Sequence, residues 1–187
     1  MVADPDLHLR AAGARGAVLG TGHLMREGVL TDVAGLIVFV LICLIAAAVG
    51  GKATVGSVRT WYPGLRKPAW NPPARLFGPV WSVLYLMMAF AAWRVWLTRD
   101  ATDVRTELGL FGAQLVLNVL WSVVFFGLRR PGLALFDIAI LWVAIAATTI
   151  GFWSHDVTAA LLLVPYLAWV GFAAILNLSI YRLNAAR

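Results

Sequence analysis

Five stretches of the chain are apolar for long enough to cross a lipid bilayer, and most of the polar positions fall between them. A membrane helix needs about 20 largely apolar residues. The runs lie at 33–55, around LIVFVLICLIAAAVG, and at 79–97, 106–128, 131–153 and 157–183. No ~10-residue alternation of apolar and polar positions repeats along them, so the pattern predicts helices rather than the strands of a membrane barrel. The expected fold is all-α: a polytopic membrane protein built as a five-transmembrane-helix bundle.

The connections differ in length. Arg129-Arg130-Pro131-Gly132 is a turn whose proline can open the fourth helix. Residues 154–156 join the fourth helix to the fifth, and 98–105 join the second to the third. Only the link at 56–78 is long. Residues 1–32 are of another character, rich in Gly and Ala and carrying Asp4, Asp6, Arg10, Arg15, Arg26, Glu27 and Asp32. They are expected to form a mobile N-terminal extension ahead of a membrane domain at 33–187. The extension lacks an apolar core of about 7–15 residues with a small-residue cleavage site, so the first apolar run is expected to direct its own insertion.

Composition agrees with the pattern. Apolar residues make up 61% of the chain and charged ones 13%, against about 45–50% and 25% in ordinary soluble domains. A soluble fold could not cover that much apolar surface with so few polar groups. The net charge of +6 does not indicate nucleic acid, because the cations are spread between apolar runs rather than gathered on a polar module. Cys43 is the single cysteine and falls inside an apolar run, which excludes an intrachain disulfide.

Charge also sets orientation. With five crossings, the first and third links and the C-terminus share one side. That side carries Lys52, Arg59, Arg66, Lys67, Arg75, Arg129, Arg130, Arg182 and Arg187, and no acid. The positive-inside bias places it in the cytoplasm and the N-terminus outside.

Candidate chemistry is concentrated in the long link and on the inward helix faces. The link and the residues after it read WYPGLRKPAWNPPARLFGPVW, with prolines that prevent a continuous helix. Such a segment reads as an interfacial loop with Trp anchors; its density of rigid and aromatic residues favours a stiff flap over one end of the bundle. Trp81 and Tyr85 share a face of the second helix. Gln114, Asn118, Trp121 and Phe125 share a face of the third. Amides are costly against lipid, so that face is expected to point inward. It reads equally as interhelical hydrogen bonding or as the wall of a small-molecule pocket. Asp137 is the one acid well inside an apolar run, a functional candidate or a structural pairing in equal measure. Trp169, Ala173, Leu176 and Asn177 share a face of the fifth helix. Gly109 and Ala113 form a small-xxx-small pair on the third helix, compatible with helix association. His8, His23 and His155 have no metal-ligand spacing, and neither a phosphate-cradling glycine loop nor a Ser-His-Asp arrangement is visible.

These residues resemble the TspO/MBR family, the tryptophan-rich sensory or translocator proteins, also called peripheral benzodiazepine receptors. The resemblance rests on Trp61-Tyr62-Pro63-Gly64-Leu65-Arg66-Lys67-Pro68-Ala69-Trp70-Asn71-Pro72-Pro73, on Pro79-Val80-Trp81 with Leu84-Tyr85, and on Gly112-Ala113-Gln114-Leu115 with Asn118 and Trp121. Phe125-Phe126-Gly127, Asp137, Pro165-Tyr166-Leu167-Ala168-Trp169, Asn177 and Tyr181-Arg182 continue it in order, over about residues 34–184. The resemblance implies a five-helix bundle, a homodimer associating here through the third helix at Gly109 and Ala113, and an intramembrane pocket. Implied ligands are non-covalent: tetrapyrroles such as protoporphyrin IX or haem, sterol-like molecules and synthetic benzodiazepine-site compounds. By matching position, the ligand-binding residues would be Trp70, Trp81, Tyr85, Asn118, Trp121, Phe125, Asp137, Trp169, Ala173 and Leu176. The lid would use Trp61, Lys67, Pro68, Asn71, Pro72 and Pro73. Ala69 stands where an aromatic is frequent and Leu133 where animal members carry Trp, which weighs against tight binding of bulky synthetic ligands.

The leading expectation is a membrane receptor or sensor for porphyrin-type ligands. Transport of porphyrins or sterol-like lipids ranks lower, because no inverted repeat with paired broken helices is visible. Light-dependent degradation of protoporphyrin by pocket tryptophans is a third reading, which nothing in the sequence itself demands.

Overall fold

The computed structural model describes residues 5–185, with side chains from residue 27 to 185. Five helices carry the fold: α1 (Pro5–Thr60), α2 (Phe77–Trp96), α3 (Arg105–Ser122), α4 (Pro131–Trp153) and α5 (Val157–Asn184). All five contain a segment long and apolar enough to cross a membrane. The protein is therefore an integral, multi-pass membrane protein.

The ends of the helices follow local chemistry. α1 runs on past both ends of its apolar core because proline is absent between Pro5 and Pro63. It takes up residues 56–60, expected in the long link, which shortens to 61–76. Of the expected N-terminal extension, the side chains of residues 1–26 lie outside the described residues. α2 starts at Phe77 rather than 79, after a 3₁₀ turn at Ala74–Leu76. α3 ends in a π-helical turn at Val123–Gly127. Arg129, next in the tight turn, has φ 55°, the left-handed region that favours glycine. Pro131 opens α4, and the Asp156 carboxylate caps α5 by accepting from the Ala159 N–H at 2.7 Å.

The helices pack as a ring in the order α1, α2, α5, α4, α3 and back to α1. Inward residues mix small, aliphatic and aromatic side chains: Ala89, Ala91, Ala92 and Met88 on α2, Phe111 on α3, Ile138, Leu141, Ile145 and Phe152 on α4, and Ala159, Ala160, Leu163 and Tyr166 on α5. Large apolar side chains such as Ile42, Ile45, Val116, Phe136, Ile150 and Ile175 face outward, the inverse of a soluble bundle. Lipid solvates them, so close packing of the ring depends on shape and on hydrogen bonds between helices.

Candidate functional site

A chain of buried hydrogen bonds crosses the centre of the ring. The Tyr85 hydroxyl donates to Asn118 Oδ1 at 2.7 Å, and Asn118 Nδ2 donates to the Tyr166 hydroxyl at 2.9 Å. Tyr166 in turn donates to Gln114 Oε1 at 2.8 Å. One turn further along α3, Trp121 Nε1 donates to Asn177 Oδ1 at 3.2 Å, and Asn177 Nδ2 donates to the Pro131 carbonyl at 2.8 Å. The inward amide face therefore ties α2, α3 and α5 to one another and to the first residue of α4. Desolvated amides and phenols keep their partners, as a low-dielectric interior requires.

Beside this hub is a cleft of about 370 Å³ between α1, α2 and α3. Trp81, Tyr85, Asn118 and Trp121 form its inner wall, and Gly50, Gly51 and Thr54 its α1 side. Arg59, in the last turn of α1, stands at its rim with Phe77 and Gly78. A second void, only about 20 Å³, lies across Trp121 between α3 and α5, against Phe125, Ala173 and Leu176. Phe77, Trp121 and Phe126 belong to both walls and so form the partition between the two. Trp121 is held there by stacking on Phe125 at 5.5 Å between ring centroids, as well as by Asn177.

The link at 61–76 is fastened over this end of the bundle. Lys67 Nζ donates to the carbonyls of Tyr62 at 2.7 Å, Leu65 at 2.8 Å and Pro63 at 3.2 Å. Its ammonium also lies 4.9 Å from the Tyr62 ring centroid. The Tyr62 hydroxyl donates to Asn71 Oδ1 at 2.6 Å, and burial pushes that phenol up to about 12. The Asn184 side chain clamps both the N–H and the carbonyl of Arg66, which docks the link on the end of α5. Trp61 meets Phe125 edge-on and Tyr62 meets Phe126, while Ser57 Oγ donates to the Phe126 carbonyl at 2.5 Å. Pro68 and Pro72 are half-buried, whereas Pro73 is exposed and leads into the 3₁₀ turn before α2.

The candidate residues thus divide among several places. Trp81, Tyr85, Asn118 and Trp121 meet at the cleft. Phe125, Ala173 and Leu176 lie beyond the partition. Trp70 is 48% exposed and meets Phe172, which meets Trp169, which meets Phe77: a row of rings along the α5–α2 side. Trp169 Nε1 is buried without an acceptor. Asp137 is buried on α4 with Oδ2 unpartnered, and it lines neither void. Gly109 and Ala113 are exposed on the outside of α3. The α1 wall, Arg59, Phe77 and the pivotal role of Tyr166 go beyond the sequence reading. Gly50-Gly51 and Thr54, interrupting the bulk of an apolar run, are the signal that could have pointed to the α1 wall.

Comparison with known proteins accords with this architecture. Residues 39–182 match the TspO/MBR family. The chain is 41% identical over 150 residues to the tryptophan-rich protein TspO of Archaeoglobus fulgidus, covering 80% of this chain and 97% of that one. It is 40% identical over 148 residues to the human translocator protein, covering 78% and 88%. It is also 40% identical over 141 residues to the tryptophan-rich sensory protein of Cereibacter sphaeroides, covering 74% and 87%. Five membrane-spanning helices, the tryptophan-lined inner faces and these matches together make the chain a member of the TspO/MBR family.

Proposed function

We propose that this protein is a membrane receptor that senses porphyrin-type tetrapyrroles and similar apolar ligands in the cleft between α1, α2 and α3, beneath the 61–76 link. The observation that carries this reading is that Trp81 and Trp121 border one cleft of about 370 Å³ with a tyrosine, an amide and a rim arginine. A flat macrocycle offers π-faces for indole rings to stack on. Its carboxylates match a guanidinium such as Arg59 at the mouth. The name of the Cereibacter sphaeroides relative, a sensory protein, supports the sensing role.

A ligand larger than the cleft would swing Trp121 or Phe77 aside and join the cleft to the void bordered by Ala173 and Leu176. That motion brings candidates from both sides of the partition to one ligand. The basic end with the link faces the cytoplasm in this reading, by the positive-inside bias. A homodimer would form through the outside of α3, where nothing lies within 4 Å of a Cβ added at Gly109.

Quenching of tryptophan fluorescence by protoporphyrin IX in detergent tests the proposal. Trp81→Phe and Trp121→Phe should each weaken binding by about tenfold, or about 1.4 kcal/mol. Wild-type affinity in both variants would rule out the cleft.

A further inference from the structure

The loop end carries cations that the receptor reading leaves largely unused. Lys52, Arg59, Arg66, Arg75, Arg129, Arg130 and Arg182 lie on that side of the bundle. Among the described residues, none of their charged groups has a carboxylate within ion-pair distance or a hydrogen-bond acceptor. The positive-inside bias accounts for their number. It does not account for the place of Arg129. This is the one non-glycine residue with positive φ among the described residues. It follows the π-helical turn, where Gly or Asn adopts such a backbone at less cost. An arginine in this left-handed conformation, with no partner of its own, points to a use for the side chain.

Arg129 borders an open depression of about 480 Å³ with Thr60, Trp61, Gly64, Leu65 and Asn184. Its rim is already rigid. Asn184 holds the Arg66 backbone at 2.9 and 3.1 Å, and Lys67 holds three carbonyls of the turn that includes Gly64 and Leu65. Trp61 is half-buried against Phe125, and its indole N–H has no acceptor among the described residues. A preformed bowl at the end of a membrane bundle, with an unpaired arginine and a free indole N–H, matches an anionic group at headgroup depth.

We propose that this depression, centred on Arg129 and Trp61, binds the phosphate of an anionic phospholipid headgroup. The depression is distinct from the ligand cleft, so the proposal stands apart from the receptor reading. The bilayer is the source of the anion, because the site adjoins Thr60, the last residue of the apolar α1 span, where a headgroup layer is expected. Arg66, next to Leu65, and Arg130, next to Arg129, supply further positive charge at its edge.

Native mass spectrometry of the purified full chain provides the test, with phosphatidylglycerol and phosphatidylcholine of matched acyl chains. The wild type should retain phosphatidylglycerol in preference. Arg129→Gly should reduce that preference about fivefold, the loss expected for one cation near an anionic surface. The same variant should melt no lower than wild type, because Gly adopts positive φ freely. Arg105→Ala, which removes a charge at the opposite end, should keep the wild-type preference. An undiminished preference in Arg129→Gly, or an equal loss in Arg105→Ala, would overturn the site. Inorganic phosphate at low millimolar concentration should leave the bound phosphatidylglycerol in place; displacement would make the anion a soluble phosphate and overturn the lipid source.

Discussion

The two ends of the bundle are held by different forces. At the end where α2 meets α3 and α4 meets α5, charges are answered by charges. Arg94 grips Asp156 through Nε and Nη2, at 2.7 to 3.1 Å, and Asp156 also caps α5. Arg99 reaches Asp32 at 3.1 Å while its guanidinium lies 3.5 Å from the Trp96 ring. His155 stands 3.5 Å from Glu107. Among the described residues, no Asp or Glu lies in the loop-end segments 52–78, 127–132 and 181–185. Aromatic edges, a lysine on main-chain carbonyls and an asparagine on a backbone amide fasten the link instead. The difference teaches that the loop end is held without ion pairs: Lys67 binds main-chain carbonyls of the link, and the guanidinium groups there have no acidic partner among the described residues.

Five substitutions probe that contrast, taken in order of expected size. Asn118→Ala removes the hub between the two ends and leaves the Tyr85 and Tyr166 hydroxyls each short of a partner. It should cost about 2–3 kcal/mol, read as a lowered melting temperature in detergent and as loss of ligand quenching. Unchanged stability would mean that the Asn118 hydrogen bonds do not hold α2, α3 and α5 together.

Gly35→Ala attacks the paired end by packing. A Cβ there would come within 2.4–2.8 Å of the Trp96 ring, which Arg99 covers on its own account. Overpacking of this kind costs about 2 kcal/mol, and melting should show it. Lys67→Met is the matching change at the loop end, taking the ammonium from three carbonyls. About 1.5 kcal/mol is expected, confined to the link and visible as faster amide exchange over 61–76 with little change elsewhere.

Arg94→Ala should cost about 1 kcal/mol, a figure discounted because the Arg94 side chain is 39% exposed. The Arg94 hydrogen bonds hold the Asp156 carboxyl below its ordinary value of 3.8. A depressed folded value means that its stabilisation is complete above about pH 4 and fades as pH falls through the folded value. Melting of wild type against Arg94→Ala should therefore converge in acid. The smallest effect belongs to Arg105→Ala. Its partner Asp103 is held at about 2 by the Arg105 hydrogen bonds, yet both groups are fully exposed. No measurable change in melting is expected.

Much of this could be read along the chain. Period and length fix five spans, because a lipid-exposed helix must be apolar over its whole crossing. Tyr85, Asn118 and Trp121 announce an inward face, since amides and phenols are expensive in hydrocarbon. The uneven spread of arginine and aspartate is itself a sequence property. Even the length of α1 is legible afterwards, from the absence of proline between residues 5 and 63.

Partners are another matter. Nothing in spacing says that Tyr166 accepts from Asn118 and donates to Gln114, or that Asn177 holds Trp121. Those bonds depend on which helices adjoin, and the ring order places α2 beside α5 rather than next to α3 in sequence order. The same order splits the candidate residues across the Phe77–Trp121–Phe126 partition and leaves Asp137 outside both voids. Sequence alone thus determined the membrane, the number of crossings and the chemistry of the inward faces, because each follows from the local cost of a side chain in lipid. Only the tertiary structure decided which of those side chains meet, because a contact between helices depends on their neighbours and rotation, and no single helix encodes either.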